Sequence, residues 1–569
     1  MNMKNQEPKN VILIIVDSVR YYRTGVDDRD RLDFMDEFKN ESVEFLNAFT
    51  SAPSSVMSAA AMFTGLHSAF VSRNYNDWEF DSSSITSLQS ILKKNGYEIF
   101  SIDNSKVGRE VKRDLILPLN KSWFPKGISH GQFWTNLDVT RILKNVLKKR
   151  NNKTKAFFML WYDCRDDPNT SEAVQNAVDA FKEHGLFENS LVFLTSDHGY
   201  PDPRTGLNKN TMRNMRHDMV VTDDNIKIPL FVKGPGIAPG ERSSMVSTID
   251  FTPTILDFLG LDFSQGADKI LAGSSLKPSL FDKSIDGNVK QINRLVRTDT
   301  RLLLQSGRVT AIRDAKNKLV VYQDEGKFEL YDLATDPQEI HPVPVKPNSK
   351  KFGHLFDYFD KTQDSISKFH QSIVQKQARE LTQKFLQRTQ KPTLIFSDAG
   401  DLIDSQLIEN SLAASKPKFV YLWDGSSTAW VCKSPGNGAF SKTQITVEEL
   451  KSAHFGICFM ISEKAHYVFL DNSSFKICKR LSNKVVTVDY NMRPFSRTFV
   501  KWVSPIWKYR RNLSFYLQEP SLFIKDASKI FRLFIKIFIF KDVVANPDMS
   551  LAKELRDRAL IAKSENVDT

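Results

Sequence analysis

Three short runs of this chain are apolar from end to end: Val11 to Val16, Ala156 to Tyr162 and Leu191 to Leu194. A strand with one wet face alternates apolar and polar residues, so runs without alternation belong to strands covered on both sides, as in a parallel sheet between layers of helices. The segment Ser171 to His184 supplies one such helix, with Ala173, Val174, Ala177, Val178 and Phe181 on a single face. Each run leads into acidic residues: Asp17 after the first, Asp163 after the second, and Thr195-Ser196-Asp197-His198-Gly199 after the third. Ligands of open α/β sheets gather at the carboxyl ends of the strands, so Asp17 stands where a metal is held, with a helix N-cap as its alternative role.

A second stretch answers to these strand ends. From Asn47 to His67 small and hydroxyl residues run into the Ala/Met/Phe segment of a helix, so a loop delivers serines to a helix N-terminus. Unpaired N–H groups and the positive end of the helix dipole there stabilise an alkoxide or an arriving anionic ester. Capping of the helix is the other reading of the same serines.

The order and spacing of these pieces resemble the sulfatase family of the alkaline phosphatase superfamily, over residues of about 10 to about 341. The landmark is the turn after the nucleophile, where the family reads Cys or Ser, x, Pro, Ser, Arg and then Thr-Gly. Nine residues before Thr64 of Thr64-Gly65 stands Ser55, at the nucleophile position, and Ser58 takes the place of the motif's serine. Later landmarks are the segment Ile226 to Gly236, the helix of Asp250-Phe251-Thr252-Pro253-Thr254, and Glu329-Leu330-Tyr331-Asp332 before Asp336-Pro337. The resemblance implies an α/β fold, a central mostly parallel sheet flanked by helices, with a small antiparallel sheet following at Lys318 to Asp332.

It also implies a site. Asp17, Ser55, Asp197 and His198 would surround one divalent ion, Ca, Mg, Mn or Zn, with Ser55 as nucleophile. Relatives with Asn after the second Asp bind calcium. His198 in that place gives a mixed oxygen and nitrogen donor set that suits Mg, Mn or Zn better. His217 would assist the leaving group, and Lys106, Arg165 and Arg216 would bind the anionic substrate. The chain departs from the pattern at Ser18, where relatives have a second Asp, and at Met57 and Ala59, where the signature has Pro and Arg. Those last two departures argue against conversion of Ser55 to formylglycine, and an unconverted serine resembles the nucleophile of the superfamily's phosphatases and phosphotransferases.

Composition sets the bounds. The chain has 569 residues, enough for two domains. A net charge of +12 suits acidic partners in general or simply a basic soluble protein. Its four cysteines form no C-x-x-C pair, which points away from a zinc ribbon or a disulfide framework. The first apolar run is too short for a secretory signal, and no run approaches the roughly eighteen residues of a membrane span. A cytoplasmic enzyme is expected, peripheral to the inner membrane face if the tail binds there.

Four segments are expected: a sulfatase-like catalytic domain at 1–345, a helical linker at 346–390, a small α/β accessory domain at 391–500 and a basic amphipathic tail at 501–569. Lys508, Arg510, Arg511, Arg532 and Lys536 among the aromatic and aliphatic residues of that tail suit an anionic membrane, and equally a helix docking on a partner or on the chain's own core. Three functional readings follow: a metal-dependent hydrolase of sulfate or phosphate esters, glycan esters included; a phosphotransferase that modifies a cell-surface glycan precursor from the cytoplasmic face; and a non-catalytic sulfatase-like binding protein. No nucleic acid partner is expected.

Overall fold

The apolar runs pair with one another side by side. The computed structural model of the chain describes residues 8–21, 33–71, 85–103, 121–122, 135–151, 154–163, 168–201, 220–262, 272–282, 294–300, 308–323, 325–347, 350–397, 419–425, 427–433, 441–461, 472–488, 492 and 494–495. The chain divides into two units, Met1–Ile366 and Ser367–Thr569.

In the first unit the main sheet comprises β1 (Asn10–Asp17), β2 (Val43–Phe49), β3 (Glu98–Asp103), β4 (Lys121–Ser122), β5 (Ala156–Asp163), β6 (Ser190–Thr195), β7 (Leu230–Lys233) and β8 (Gly240–Ser247). Among the described residues their order is β4-β3-β5-β1-β6-β7-β2-β8. Only β7 runs against its neighbours, pairing antiparallel with β6 and β2. The register sets Asp17 beside Asp163 and Ile15 beside Thr195, so β5, β1 and β6 end together at the middle of one sheet edge.

Burial explains the central place of β1. Val11 through Val16 are at most 1 % exposed. Withdrawing six such aliphatic side chains from water contributes on the order of 10 kcal/mol, an upper figure because unfolded chains already bury part of that surface. One face of β1, through Ile12, Ile14 and Val16, packs with Phe158, Leu160 and Val192 of β5 and β6. Helices α1 (Asp33–Lys39), α4 (Asn136–Lys149) and α5 (Thr170–Glu183) add Phe38, Ile142, Leu143, Val174 and Phe181 to this core. Further helices of this unit are α2 (Ser55–Thr64), α3 (Leu88–Lys94) and α6 (Phe251–Phe258). The spacing predicts a start for α3 at Ile85. It starts at Leu88 because Ser87 caps it, its Oγ accepting from Ser90 N at 3.3 Å.

β2 and β8 lack the apolar signature because each carries a buried charge. Glu44 of β2 pairs with Lys39 at 2.8 Å, and Arg242 of β8 donates to the carbonyl of Ser279 at 2.7 Å. A second sheet of the first unit, β9 (Val296–Asp299), β10 (Val309–Arg313), β11 (Asn317–Tyr322), β12 (Lys327–Asp332) and β13 (Val343–Pro344), is antiparallel in the order β13-β12-β11-β10-β9, as the resemblance implies. Leu355, Phe356 and Phe359 of α7 (Gly353–Lys384) pack on its Ile312, Leu319 and Val321.

The second unit is built on a sheet of β14 (Thr393–Ser397), β15 (Phe419–Trp423), β16 (Thr428–Lys433), β17 (Ser441–Thr446), β18 (Ile457–Ile461), β19 (Val485–Val488) and β20 (Pro494–Phe495), in the order β17-β16-β15-β14-β18-β19-β20. β14 and β15 are parallel neighbours, as a βαβ-like unit requires. The apolar run Tyr467 to Leu470, whose composition predicts a further strand of this domain, and the whole tail at 501–569 lie outside the described residues. Among the described residues no helix is long and apolar enough to cross a membrane.

Candidate active site

The loop after β2 carries Thr50 to Ser54 into α2, whose first helical residue is Ser55. Ser54 occupies the N-cap in extended conformation without a side-chain capping bond, and the first-turn N–H groups of a helix have no intrahelical acceptor. The helix ends where Gly65 takes a left-handed φ of 67°, its N–H donating to Ala61 O at 2.9 Å.

Ser55 Oγ lies 3.0 Å from His198 Nε2. His198 Nδ1 lies 2.6 Å from the carbonyl of Gly199. A carbonyl only accepts, so in the neutral imidazole Nδ1 carries the proton, and Nε2 presents a lone pair toward Ser55. Gly199 is a steric requirement: a Cβ there would stand 2.2 Å from the backbone oxygen of Asp224, which passes against it.

The two carboxylates are held by short local bonds. Ser18, with a left-handed φ of 63°, donates its N–H to Asp197 Oδ1 at 3.1 Å and its hydroxyl to Asp17 Oδ1 at 2.6 Å. Ser196 Oγ accepts from Val19 N at 2.9 Å and donates to His198 O at 2.6 Å, which ties the end of β6 to the end of β1. Ser58, one turn into α2, donates to Asp197 O at 2.7 Å.

One ligand atom each from Asp17, Asp197 and His198 falls within 4.8 Å of the others. Asp197 Oδ2 is buried with no hydrogen-bond partner, 3.3 Å from His198 Nε2. An unpaired carboxylate oxygen facing an imidazole lone pair out of water is costly unless positive charge lies between them, and two carboxylates with one imidazole fit a divalent ion of the Mg, Mn or Zn class. Burial and the neighbouring Asp197 push the Asp17 carboxyl up to about 7, against the pull of His198 and the Ser18 hydroxyl.

Three segments far apart in the chain thus bring Asp17, Ser55 and the adjacent Asp197 and His198 together. Lys106, Arg165, Arg216 and His217 lie outside the described residues. Ser18, which stands where the resemblance expects a second acidic ligand and so implies a lost or weakened one, donates to both carboxylates.

A mostly parallel sheet that gathers a hydroxyl, two carboxylates and an imidazole at the carboxyl ends of its central strands is the frame of the alkaline phosphatase superfamily. The Sulfatase family model matches residues 9–162 and 168–261, and the model described as N-sulphoglucosamine sulphohydrolase, C-terminal, matches residues 216–357. The region these two models match, residues 9–162 and 168–357, belongs to the sulfatase family of that superfamily. It is 26% identical over 194 residues to arylsulfatase K of Xenopus laevis, covering 32% of this chain and 34% of that protein. It is 26% identical over 219 residues to a choline-sulfatase of Rhizobium meliloti (strain 1021), covering 38% and 36% respectively. The chain thus spans about a third of the length of these curated relatives. A solved structure in complex with its substrate D-glucosamine-2-N,6-O-disulfate shares the fold, with a TM-score of 0.50 at 15% identity over 64% of this chain and 98% of that one.

Proposed function

We propose that the first unit is a metal-dependent hydrolase of sulfate or phosphate esters in which Ser55 is the nucleophile. The observation that carries this reading is the 3.0 Å approach of Ser55 Oγ to His198 Nε2 beside the unpartnered oxygen of Asp197. The relatives named as sulfatases support sulfate esters as a substrate class, and the match to the N-sulphoglucosamine sulphohydrolase model adds sulfated sugars to it.

Asp17, Asp197 and His198 would hold a divalent cation, which lowers the pKa of the Ser55 hydroxyl and takes up charge developing on the ester oxygens. Ser55 gives its proton to water, its oxygen bonds to the phosphorus or sulfur, and the bond to the leaving oxygen breaks in line. The first turn of α2 directs its N–H groups at the same charge. His217 is assigned the proton for the leaving oxygen, and Lys106, Arg165 and Arg216 the binding of the anion. Water then cleaves the seryl ester and regenerates Ser55.

Met57 and Ala59, at the Pro and Arg positions of the formylglycine signature, are both buried in α2. They favour an unmodified Ser55, and with it phosphoester chemistry. The test is turnover of aryl sulfates and aryl phosphates by chelator-stripped and metal-reloaded protein, with the mass of the Ser55 peptide measured in the same preparation. Metal-dependent turnover that Ser55→Ala abolishes supports the reading, and the peptide mass distinguishes serine from formylglycine. Absence of metal uptake together with absence of turnover on either ester class would point to a binding protein instead.

A further inference from the structure

The backbone just ahead of Ser55 is gripped from behind by a strand of the small sheet. Thr298 Oγ1 of β9 donates to the carbonyl of Thr50 at 2.6 Å, a contact across 248 positions of sequence. The adjacent Asp299 N donates to Ser51 O at 3.0 Å, and Ser68 Oγ donates to the same oxygen at 2.7 Å. Thr50 and Ser51 have no exposure, so each of these carbonyls depends on protein donors.

Thr50 in turn reaches both halves of the site. Its Oγ1, whose one proton is shared between the carbonyl of Ala52 at 2.8 Å and Ser58 Oγ at 2.9 Å, packs against Ser58, which donates to Asp197 O at 2.7 Å. Ser58 belongs to the helix that begins at Ser55, and Asp197 adjoins His198. A shift of Thr50 would therefore alter the separation of Ser55 from His198, where small displacements are expensive for a reaction that depends on in-line approach.

β9 has its own fixing. Arg297 and Asp299, both without exposure, form a buried pair at 2.9 Å. Arg297 also donates to Thr362 Oγ1 at 2.6 Å and Gln363 Oε1 at 3.0 Å, and Asp299 accepts from Thr310 Oγ1 at 2.7 Å. The desolvation of such a pair largely offsets its attraction, so its contribution is direction more than stability: the planar guanidinium admits one orientation of carboxylate and strand.

We propose that β9 positions the nucleophile and that Thr298 is the positioning residue, acting on Ser55 through Thr50 and Ser58. This rests on Ser55 being the nucleophile. Full-length Thr298→Val, which keeps the shape and removes the hydroxyl, is compared with Thr298→Ser, which keeps the hydroxyl. With both variants folded by circular dichroism, Thr298→Val should lose at least about tenfold in kcat with KM within about twofold, and Thr298→Ser should return to within about threefold of the parent. A folded Thr298→Val with parental kcat, or a hydroxyl variant that fails to recover it, overturns the proposal.

If the parent chain hydrolyses no ester, it is the nucleophile reading that fails, and amide exchange of the peptide spanning 50–58 then judges the grip alone. Exchange there should accelerate by about tenfold in Thr298→Val and stay near parental in Thr298→Ser. Unchanged exchange in Thr298→Val overturns the grip.

Discussion

Ser55 Oγ and His198 Nε2 lie 3.0 Å apart although 143 positions of sequence separate them. Ser58 is what spans that separation locally, since its buried hydroxyl donates to the carbonyl of Asp197, next to His198. Ser58→Ala leaves a buried carbonyl short of a donor and should destabilise the chain by about 1–3 kcal/mol. It should also lower turnover by about tenfold while leaving metal uptake intact. Denaturant unfolding and kinetics on the same preparation check both, and parental kinetics would show that the tie does not set the site's geometry.

The carboxyl of Asp17 predicts a pH dependence with a definite sign. In the metal-free folded chain it is held up to about 7, against 3.8 for a free side chain. The folded state therefore keeps a proton that the unfolded state has released, and this group's contribution is most favourable below about pH 4 and is lost as pH rises toward about 7. A bound cation favours the carboxylate and reverses the trend. Thermal melts with chelator and with added metal should diverge increasingly over that window, and parallel melts would contradict the assignment.

Ser18 stands where sulfatases place a second acid, in a left-handed conformation that Asp tolerates. Ser18→Asp replaces a donor by a third carboxylate. It should tighten divalent metal binding by about tenfold and lower the melting temperature of the metal-free chain, because the added negative charge lies beside Asp17 and Asp197. Calorimetric titration reads the first effect and a melt with chelator the second.

What the sequence made legible follows burial chemistry. β1, β5 and β6 were readable because strands covered on both faces are apolar throughout, and Asp17, Asp197 and His198 were readable because they follow those runs directly. Ser55 was reached through the resemblance, whose motif sets the nucleophile nine residues before the Thr of Thr64-Gly65. β2 and β8 were not, since Glu44 and Arg242 break the apolar pattern and find partners such as Lys39 and the carbonyl of Ser279. β9 was invisible for the same reason: in Val296–Asp299 an arginine and an aspartate are buried by pairing with each other, and nothing local in sequence links Thr298 to Thr50.

His67 gives a second pH signature, opposite in sign. Burial, with Arg297 and Arg294 nearby, depresses its imidazole from 6.5 to about 3, although Asp299 pulls the other way. The unfolded chain binds a proton that the folded chain refuses, so stability present above pH 6.5 is lost as pH falls toward about 3, by up to about 1.4 kcal/mol per pH unit. His67→Gln should lose less stability than the parent between about pH 7 and about pH 5 in urea unfolding. Equal losses would mean that His67 is protonated within the fold.

The most direct test of the site is the number of divalent ions per chain by native mass spectrometry, with hydrolysis measured alongside, for the parent, Asp197→Ala and Ser55→Ala. One ion in the parent, none in Asp197→Ala, and one ion without hydrolysis in Ser55→Ala is the expected pattern. Hydrolysis that persists in Ser55→Ala, or a parent that takes up no ion at this cluster, would contradict it.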